Sequence, residues 1–210
     1  APFFEREEEF AVSERNLEGK KIGCVMTGSF CTFEKVFESW RALRGAGAEL
    51  YPIMSFNACS LDTRFYPACR AVQIFEEICG RKIWNTLEQV EPIGPKKLLD
   101  ALVVAPCTGN TLAKIACGIT DTPAALCVKS HLRNGRPVVL AVSTNDGLGA
   151  SGENIARLYQ RKHYYFVPYG QDDPNTKPQS LKARFELLPQ TLEAALEGRQ
   201  LQPVLQCPCG

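Results

Sequence analysis

The chain of 210 residues has no apolar run approaching the roughly 20 residues a helix needs to cross a membrane. It has no charge excess either. Twenty-four Lys and Arg stand against 23 Asp and Glu, a formal charge of +1. That balance excludes the broad basic footprint of a nucleic-acid or membrane-surface binder. Histidine occurs twice, as His131 and His163. Both read as helix-end residues, capping or exposed, and not as bases. The ten cysteines form no paired C-x-x-C clusters and no Cys/His zinc spacing, so no metal site is expected. Gly23 to Gly28 offers G-x-x-x-x-G, but no Gly-Lys-Ser/Thr follows. No G-x-G-x-x-G opens the first helix, and no acid ends the second strand to hold a ribose. A Walker loop and an independent NAD site are thereby excluded.

What is present is a 45% apolar chain, ample for the core of one α/β domain. Residues 1–16 begin with the acidic Glu5-Arg6-Glu7-Glu8-Glu9, unsuited to a signal or transit peptide. They read as a tail or extension, residues 17–200 as a single domain, and 201–210 as a second tail. Strand candidates are Lys21–Met26, Leu50–Met54, Leu102–Val104, Val138–Val142 and Tyr164–Val167. Helices are expected at about Thr32–Arg44, Pro67–Cys79, Thr111–Ala116, Thr122–Arg133, Glu153–Arg161 and Leu181–Leu196. Alternating β and α with near-continuous apolar strands predicts a mostly parallel sheet with helices on both faces. Gln89–Pro95 reads as a Pro/Gly-broken surface connection, and Gly170–Ser180 as a polar loop suited to a lid. Cys24, Cys79, Cys117 and Cys127 fall in apolar segments and read as small core residues.

The most informative stretch is Ala105-Pro106-Cys107-Thr108-Gly109-Asn110-Thr111. A buried strand stops there and turns through small polar residues into a helix. In open α/β folds such turns lie at the carboxyl edge of the sheet, where ligands bind and the first helical N–H groups stand free. Thr27-Gly28-Ser29, Ser55-Phe56-Asn57 and Ser143-Thr144-Asn145 end three further strands with the same chemistry. Together they predict a polar rim. Thr27, Gly28 and Ser29 suit a single phosphate at a helix start, as a mononucleotide such as FMN requires; a simple N-cap by Ser29 or Thr32 is the alternative, as Thr111 is for the helix after Pro106. Cys31 and Cys107 sit in the rim. Arg64, Lys129 and Arg133 are candidate clamps for an anion, against the alternative of solvated helix faces. Lys177 lies in the lid segment.

Thr27-Gly28-Ser29, the Ala105–Lys114 stretch with Gly118 and Asp121, and Ser143-Thr144-Asn145 resemble the flavoprotein family of FMN-dependent cysteine decarboxylases and prenyltransferases. Lys129–Asp146 and Phe166–Asp172 are similar to its dipicolinate synthase branch, with likeness running from about Leu17 to Val204. The resemblance implies a flavodoxin-like, Rossmann-like three-layer sandwich in the cytoplasm of a spore-forming mother cell. It implies FMN at the rim residues Thr27, Gly28, Ser29, Ser55, Asn57, Pro106, Thr108, Gly109, Asn110, Thr111, Ser143, Thr144 and Asn145. It also implies an oligomer, a dicarboxylate substrate, and a partner, the dipicolinate synthase A subunit, that brings NAD(P). Three departures from the family's pattern stand out, the first two against decarboxylation of a peptidyl cysteine. No histidine lies between residues 55 and 100, where the decarboxylases carry a catalytic one, and Cys107-Thr108-Gly109 replaces their Ala-Ser-Ala. Phe30 stands where this branch is expected to carry His. The catalytic residue stays unassigned. A non-catalytic protein that completes its partner's site and a stand-alone decarboxylase remain as alternatives.

Overall fold

The computed structural model describes residues 17–206. Seven strands form one sheet: β1 (Lys21–Met26), β2 (Glu49–Met54), β3 (Ala101–Cys107), β4 (Val138–Thr144), β5 (Tyr164–Phe166), β6 (Tyr169–Asp173) and β7 (Lys177–Ala183). Their order is β2-β1-β3-β4-β7-β6, and β5 also pairs with β4. The β2, β1, β3, β4 and β5 pairings are parallel. β3 is buried at every position because it lies mid-sheet, which is why its sequence is a continuous apolar run. The fold is the expected α/β class: a mostly parallel sheet flanked by helices.

The helices are α1 (Phe33–Gly45), α2 (Phe56–Ser60), α3 (Ala68–Cys79), α4 (Leu87–Val90), α5 (Gly109–Cys117), α6 (Pro123–Leu132), α7 (Ala150–Tyr159) and α8 (Leu188–Leu196). α1 packs against α3 and α8; α6 packs against α4 and α5, and α5 against α7. Phe37 lies between Phe33 and Phe75, with Trp40 stacked on Phe75. These four rings are fully buried and hold α1 and α3 to the sheet, each adding about 0.5–1.5 kcal/mol per ring pair beyond its buried area.

The outer edge of β4 is shared. Its first half, Val138–Leu140, pairs with β5; its end, Ser143–Thr144, pairs antiparallel with β7. β6 and β7 therefore form a hairpin beside the carboxyl end of the sheet. This corrects two expectations. The polar Gly170–Ser180 segment is mostly strand, and Leu181–Ala183 continues β7 rather than starting a helix; the last helix begins at Leu188. Leu181 and Ala183 are buried with Lys182 half-buried between them, the period of two that marks a strand.

Other expectations also shift. Gln89–Pro95 is not merely a surface connection, because α4 and a 3-10 turn at Glu91–Ile93 bury Val90 and Ile93. Cys24, Cys79 and Cys127 are buried as expected, but Cys117 is exposed at the last position of α5. His131 is not a surface residue. It is fully buried, with Nε2 3.2 Å from the Pro137 carbonyl oxygen. Desolvation pushes its pKa down to about 4. Residues 204–206 are tied to β6: the Tyr169 amide donates to the Val204 carbonyl and the Gln206 amide to the Tyr169 carbonyl.

Candidate functional site at the carboxyl edge

Four polar turns converge as expected, and hydrogen bonds bolt them together. Thr27, buried after β1, donates from Oγ1 to the Pro106 carbonyl at 2.6 Å and accepts from the Thr108 amide at 3.1 Å. Ser29 Oγ and Ser143 Oγ lie 2.8 Å apart, joining the β1 and β4 turns. Asp146 accepts from Ser151 Oγ at 2.7 Å and from Thr144 Oγ1. Those hydroxyls, Thr144 foremost, hold its carboxyl below the usual range. It is therefore a carboxylate at neutral pH. Ser180 Oγ donates to the Thr144 carbonyl at 3.4 Å, which adds the hairpin to the same network.

Two turns keep open amides. Thr108, not Thr111, caps α5: its Oγ1 accepts from the Thr111 amide at 3.3 Å. The Gly109 and Asn110 amides stay at the open end of the helix. Gly109 is required by close approach. A Cβ there would lie 2.7 Å from both Ser151 Oγ and Thr144 Oγ1. After β1, a 3-10 turn (Phe30–Thr32) leads into α1, and neither Ser29 nor Thr32 supplies a side-chain cap. Ser29 Oγ is turned to Ser143, and Thr32 Oγ1 donates back to the Ser29 carbonyl at 2.7 Å. The simple N-cap alternative is thus not what the turn adopts.

These turns line a cleft of about 1120 Å³. Of the predicted residues, Gly28, Ser29, Thr108, Gly109, Asn110, Ser143, Thr144, Asn145 and Lys177 line it. Thr27, Pro106 and Thr111 stand behind it as scaffold, through the bonds just given and the 3.1 Å contact from Thr108 Oγ1 to Thr111 Oγ1. Ser55 is spent as the α2 cap, accepting from the Ala58 amide, and Asn57 lies beside Gly28 without lining the cleft. The guanidinium of Arg64 sits 4.8 Å from the centre of the Phe65 ring, and Phe65, not Arg64, faces the cleft. Lys129 and Arg133 fall elsewhere. They line a depression with Ile119 and Tyr164, at the end of α6 that precedes β4. Helices returning between parallel strands end at the amino edge, opposite the rim. Cys31 lines the cleft, whereas Cys107 is fully buried, and desolvation pushes its thiol up to about 12. Cys107 is therefore a core thiol and not a rim nucleophile.

The cleft also holds Phe30, singled out above, and residues that the sequence reading missed: Phe65, Asp146, Asn154, Asp172 and Lys182. Asp172 accepts from Lys182 Nζ at 2.6 Å and lies 3.4 Å from Lys177 Nζ. Lys182, then Lys177, hold its carboxyl below the usual range. The turn residues Asp173-Pro174-Asn175-Thr176 were the local signal for this hairpin, whose strands carry no apolar alternation before Leu181.

The comparisons with known proteins agree with this architecture. The family model described as Flavoprotein matches residues 11–168. The dipicolinate synthase B subunit of Bacillus subtilis is 46% identical over 190 residues, covering 90% of this chain and 95% of that protein. The crystal structure of the dipicolinate synthase B subunit from Bacillus halodurans is 44% identical, with a TM-score of 0.84 over 91% of this chain and 98% of that one. The FMN-dependent cysteine decarboxylase SpaF, 20% identical with a TM-score of 0.62 over 86% of this chain and 97% of its own, shares the fold. The chain belongs to the Flavoprotein family and, within it, to the group of dipicolinate synthase B subunits.

Proposed function

We propose that this chain acts with a nucleotide-binding partner, the dipicolinate synthase A subunit, to oxidise a dihydrodipicolinate-like precursor to dipicolinate. The observation that carries the proposal is one cleft lined by two kinds of donor, in a chain 46% identical to a dipicolinate synthase B subunit. The rim offers the amides and hydroxyls of Ser29, Asn110, Ser143 and Asn145. The hairpin beside it, where Lys182 is the strand neighbour of Ser143, offers the ammonium groups of Lys177 and Lys182. A ring with two carboxylates needs such donors at more than one point.

The reaction removes a hydride and a proton from a cyclic dihydropyridine dicarboxylate and yields the aromatic ring. The hydride goes to NAD(P)+, which the partner brings because this chain has no dinucleotide glycine pattern. Holding substrate and acceptor face to face is the main contribution expected of the cleft. Asp146 and Asp172 line the cleft as carboxylates, each weakened as a base by the hydroxyls or lysines that bind it, and the base for the proton stays unassigned.

The cleft fits FMN on two observations. The 3-10 turn at Phe30–Thr32 has no side-chain cap, and α5 opens at the cleft with Gly109 and Asn110, whose amides lie ahead of the one its Thr108 cap engages. Ser29, Thr108–Asn110, Ser143 and Asn145 would hold it. When bound, FMN supplies a planar two-electron carrier.

A second reading keeps the chain non-catalytic, completing the partner's site. Phe30 favours it, since its ring stands at the cleft beside Gly28, and no histidine lines the cleft among the described residues. Visible absorbance of the purified chain, read beside activity with the partner, separates the two. A yellow chain whose colour is lost with Ser29→Asp supports the flavin reading. A colourless chain that still activates the partner overturns it in favour of the second.

A further inference from the structure

A second concave site shares no lining residue with the rim cleft, although its Glu34 and Tyr66 end follows closely on Thr32 and Phe65 of that cleft. A groove of about 830 Å³ runs along the solvent side of the seam between α1 and α3. Arg41 and Arg44 enter it from α1 and Arg70 from α3, and Ile74 and Ile78 line its apolar wall. The placement follows from helical spacing. On α3, positions 70, 74 and 78 share one stripe, with successive side chains one turn apart. The opposite faces of both helices are spent on the aromatic core.

None of the three guanidiniums forms an ion pair among the described residues. Arg44 donates from Nη1 to the Ile78 carbonyl at 2.9 Å, and Arg70 from Nη1 to Gln73 Oε1 at 3.1 Å. Two carboxylates also reach the groove, but both are engaged by neutral partners. Glu34 accepts from the Tyr66 hydroxyl, and Glu77 accepts from Gln73 Nε2 at 2.8 Å. The Glu34 carboxylate also holds the Tyr66 proton in place, pushing that phenol above its usual range. Tyr66 therefore stays neutral and does not add negative charge.

We propose that this groove binds a phosphate-bearing small molecule, with the guanidiniums of Arg41, Arg44 and Arg70 taking the phosphate groups and Ile74, Ile78 and the Tyr66 ring taking its uncharged body. Against the Glu34 and Glu77 carboxylates the three guanidiniums leave the groove with one net positive charge, and none of the guanidinium forks is taken up by a carboxylate among the described residues. Guanidinium forks match phosphate oxygens in pairs. The volume falls within the range of small-molecule sites, about 300–1,000 Å³, whereas a protein surface would require a flatter patch.

The test is calorimetric titration of the full chain with inorganic pyrophosphate and with ADP, at low and at physiological salt. The expected result is saturable binding of both, tighter for ADP, that weakens at least tenfold in Arg41→Glu/Arg70→Glu and persists in Asn110→Asp. Arg41→Gln/Arg70→Gln serves as the milder pair, and circular dichroism checks that each variant keeps its fold. Binding that survives both arginine pairs overturns the proposal, as does binding abolished by Asn110→Asp alone, which would place the anion in the rim cleft. Absence of binding in the parent chain overturns it too. An acidic glutamate peptide that binds more tightly than pyrophosphate and ADP overturns the assigned ligand class.

Discussion

Asn110 and Gly109 stand one peptide apart and test different things. Asn110→Asp places a negative charge where donors should face a carboxylate. It is expected to lower kcat/KM by about 2–4 kcal/mol of transition-state binding, the scale of losing one oxyanion donor, with the melting temperature nearly unchanged. Steady-state kinetics with the partner present checks this; near-normal kcat/KM would make the rim structural. Gly109→Ala acts through packing. Its Cβ would press on Ser151 and Thr144 at 2.7 Å, so the loop must shift, at a cost of about 1–3 kcal/mol. A lowered melting temperature with loss of the Ser151–Asp146 bond is the expected result. His131 gives a third prediction. Its pKa falls from 6.5 to about 4 on folding because burial disfavours the charged ring. The unfolded chain then binds more protons between those values, so stability is full above pH 6.5 and falls as pH drops toward 4, by up to about 3 kcal/mol. Urea unfolding across that range should show the slope in the parent chain and lose most of it in His131→Leu.

At this scale the rim was readable because its residues follow directly from where strands end. Ser29, Asn110, Ser143 and Asn145 each come one to six residues after an apolar run. The misplaced residues share a different cause. Lys129 and Arg133 were judged by charge alone, yet they close a helix that returns the chain to the start of β4, the edge opposite the rim. His131, two residues from Lys129, was judged by its position near a helix end. That end is covered by the chain at Pro137, which no local pattern reveals.

Among elements, the β6–β7 hairpin sets the outer wall of the cleft. Its sequence hid it: Asp172-Asp173-Pro174-Asn175-Thr176-Lys177-Pro178 has the composition of a loop, and its buried residues lie at its two ends, Tyr169 at the start of β6 and Ser180, Leu181 and Ala183 late in β7. Leu181 and Leu188 then fell seven apart, a helical spacing, although a strand and a 3-10 turn separate them. The strand register with Ser143 and Thr144 is a long-range pairing, invisible to a window of neighbours. The hairpin carries a prediction of its own. Lys177 is more than half exposed and pairs with Asp172 at 3.4 Å, so Lys177→Ala should change stability by no more than about 0–1 kcal/mol. If Lys177 meets the substrate carboxylate, the same variant raises KM several-fold while kcat holds. Limited proteolysis of the hairpin supplies a second readout: cleavage at equal speed alone, with substrate and with the partner would remove any role in covering the cleft.

At the scale of the whole molecule, function depends on what one polypeptide holds and what it lacks. The sheet brings together a rim of open amides, two lysines and two carboxylates, the groups the proposed function assigns to a ring with two acid groups. It supplies no dinucleotide fingerprint. The overall α/β architecture was legible from the alternation of apolar strands with amphipathic helices, and the position of the site from the polar ends of those strands. The proposed division of labour between two polypeptides rests on the missing glycine pattern and on the resemblance.

The most direct measurement is NAD(P)H formation from the dihydropyridine dicarboxylate precursor, recorded for this chain alone, for the nucleotide-binding partner alone, and for the two co-purified. The expected result is no turnover from either polypeptide separately, turnover from the pair, and loss of most of that turnover when the pair carries Asn110→Asp. Full dehydrogenase activity from this chain by itself, or an unchanged rate in the Asn110→Asp pair, would contradict the proposed division of the reaction.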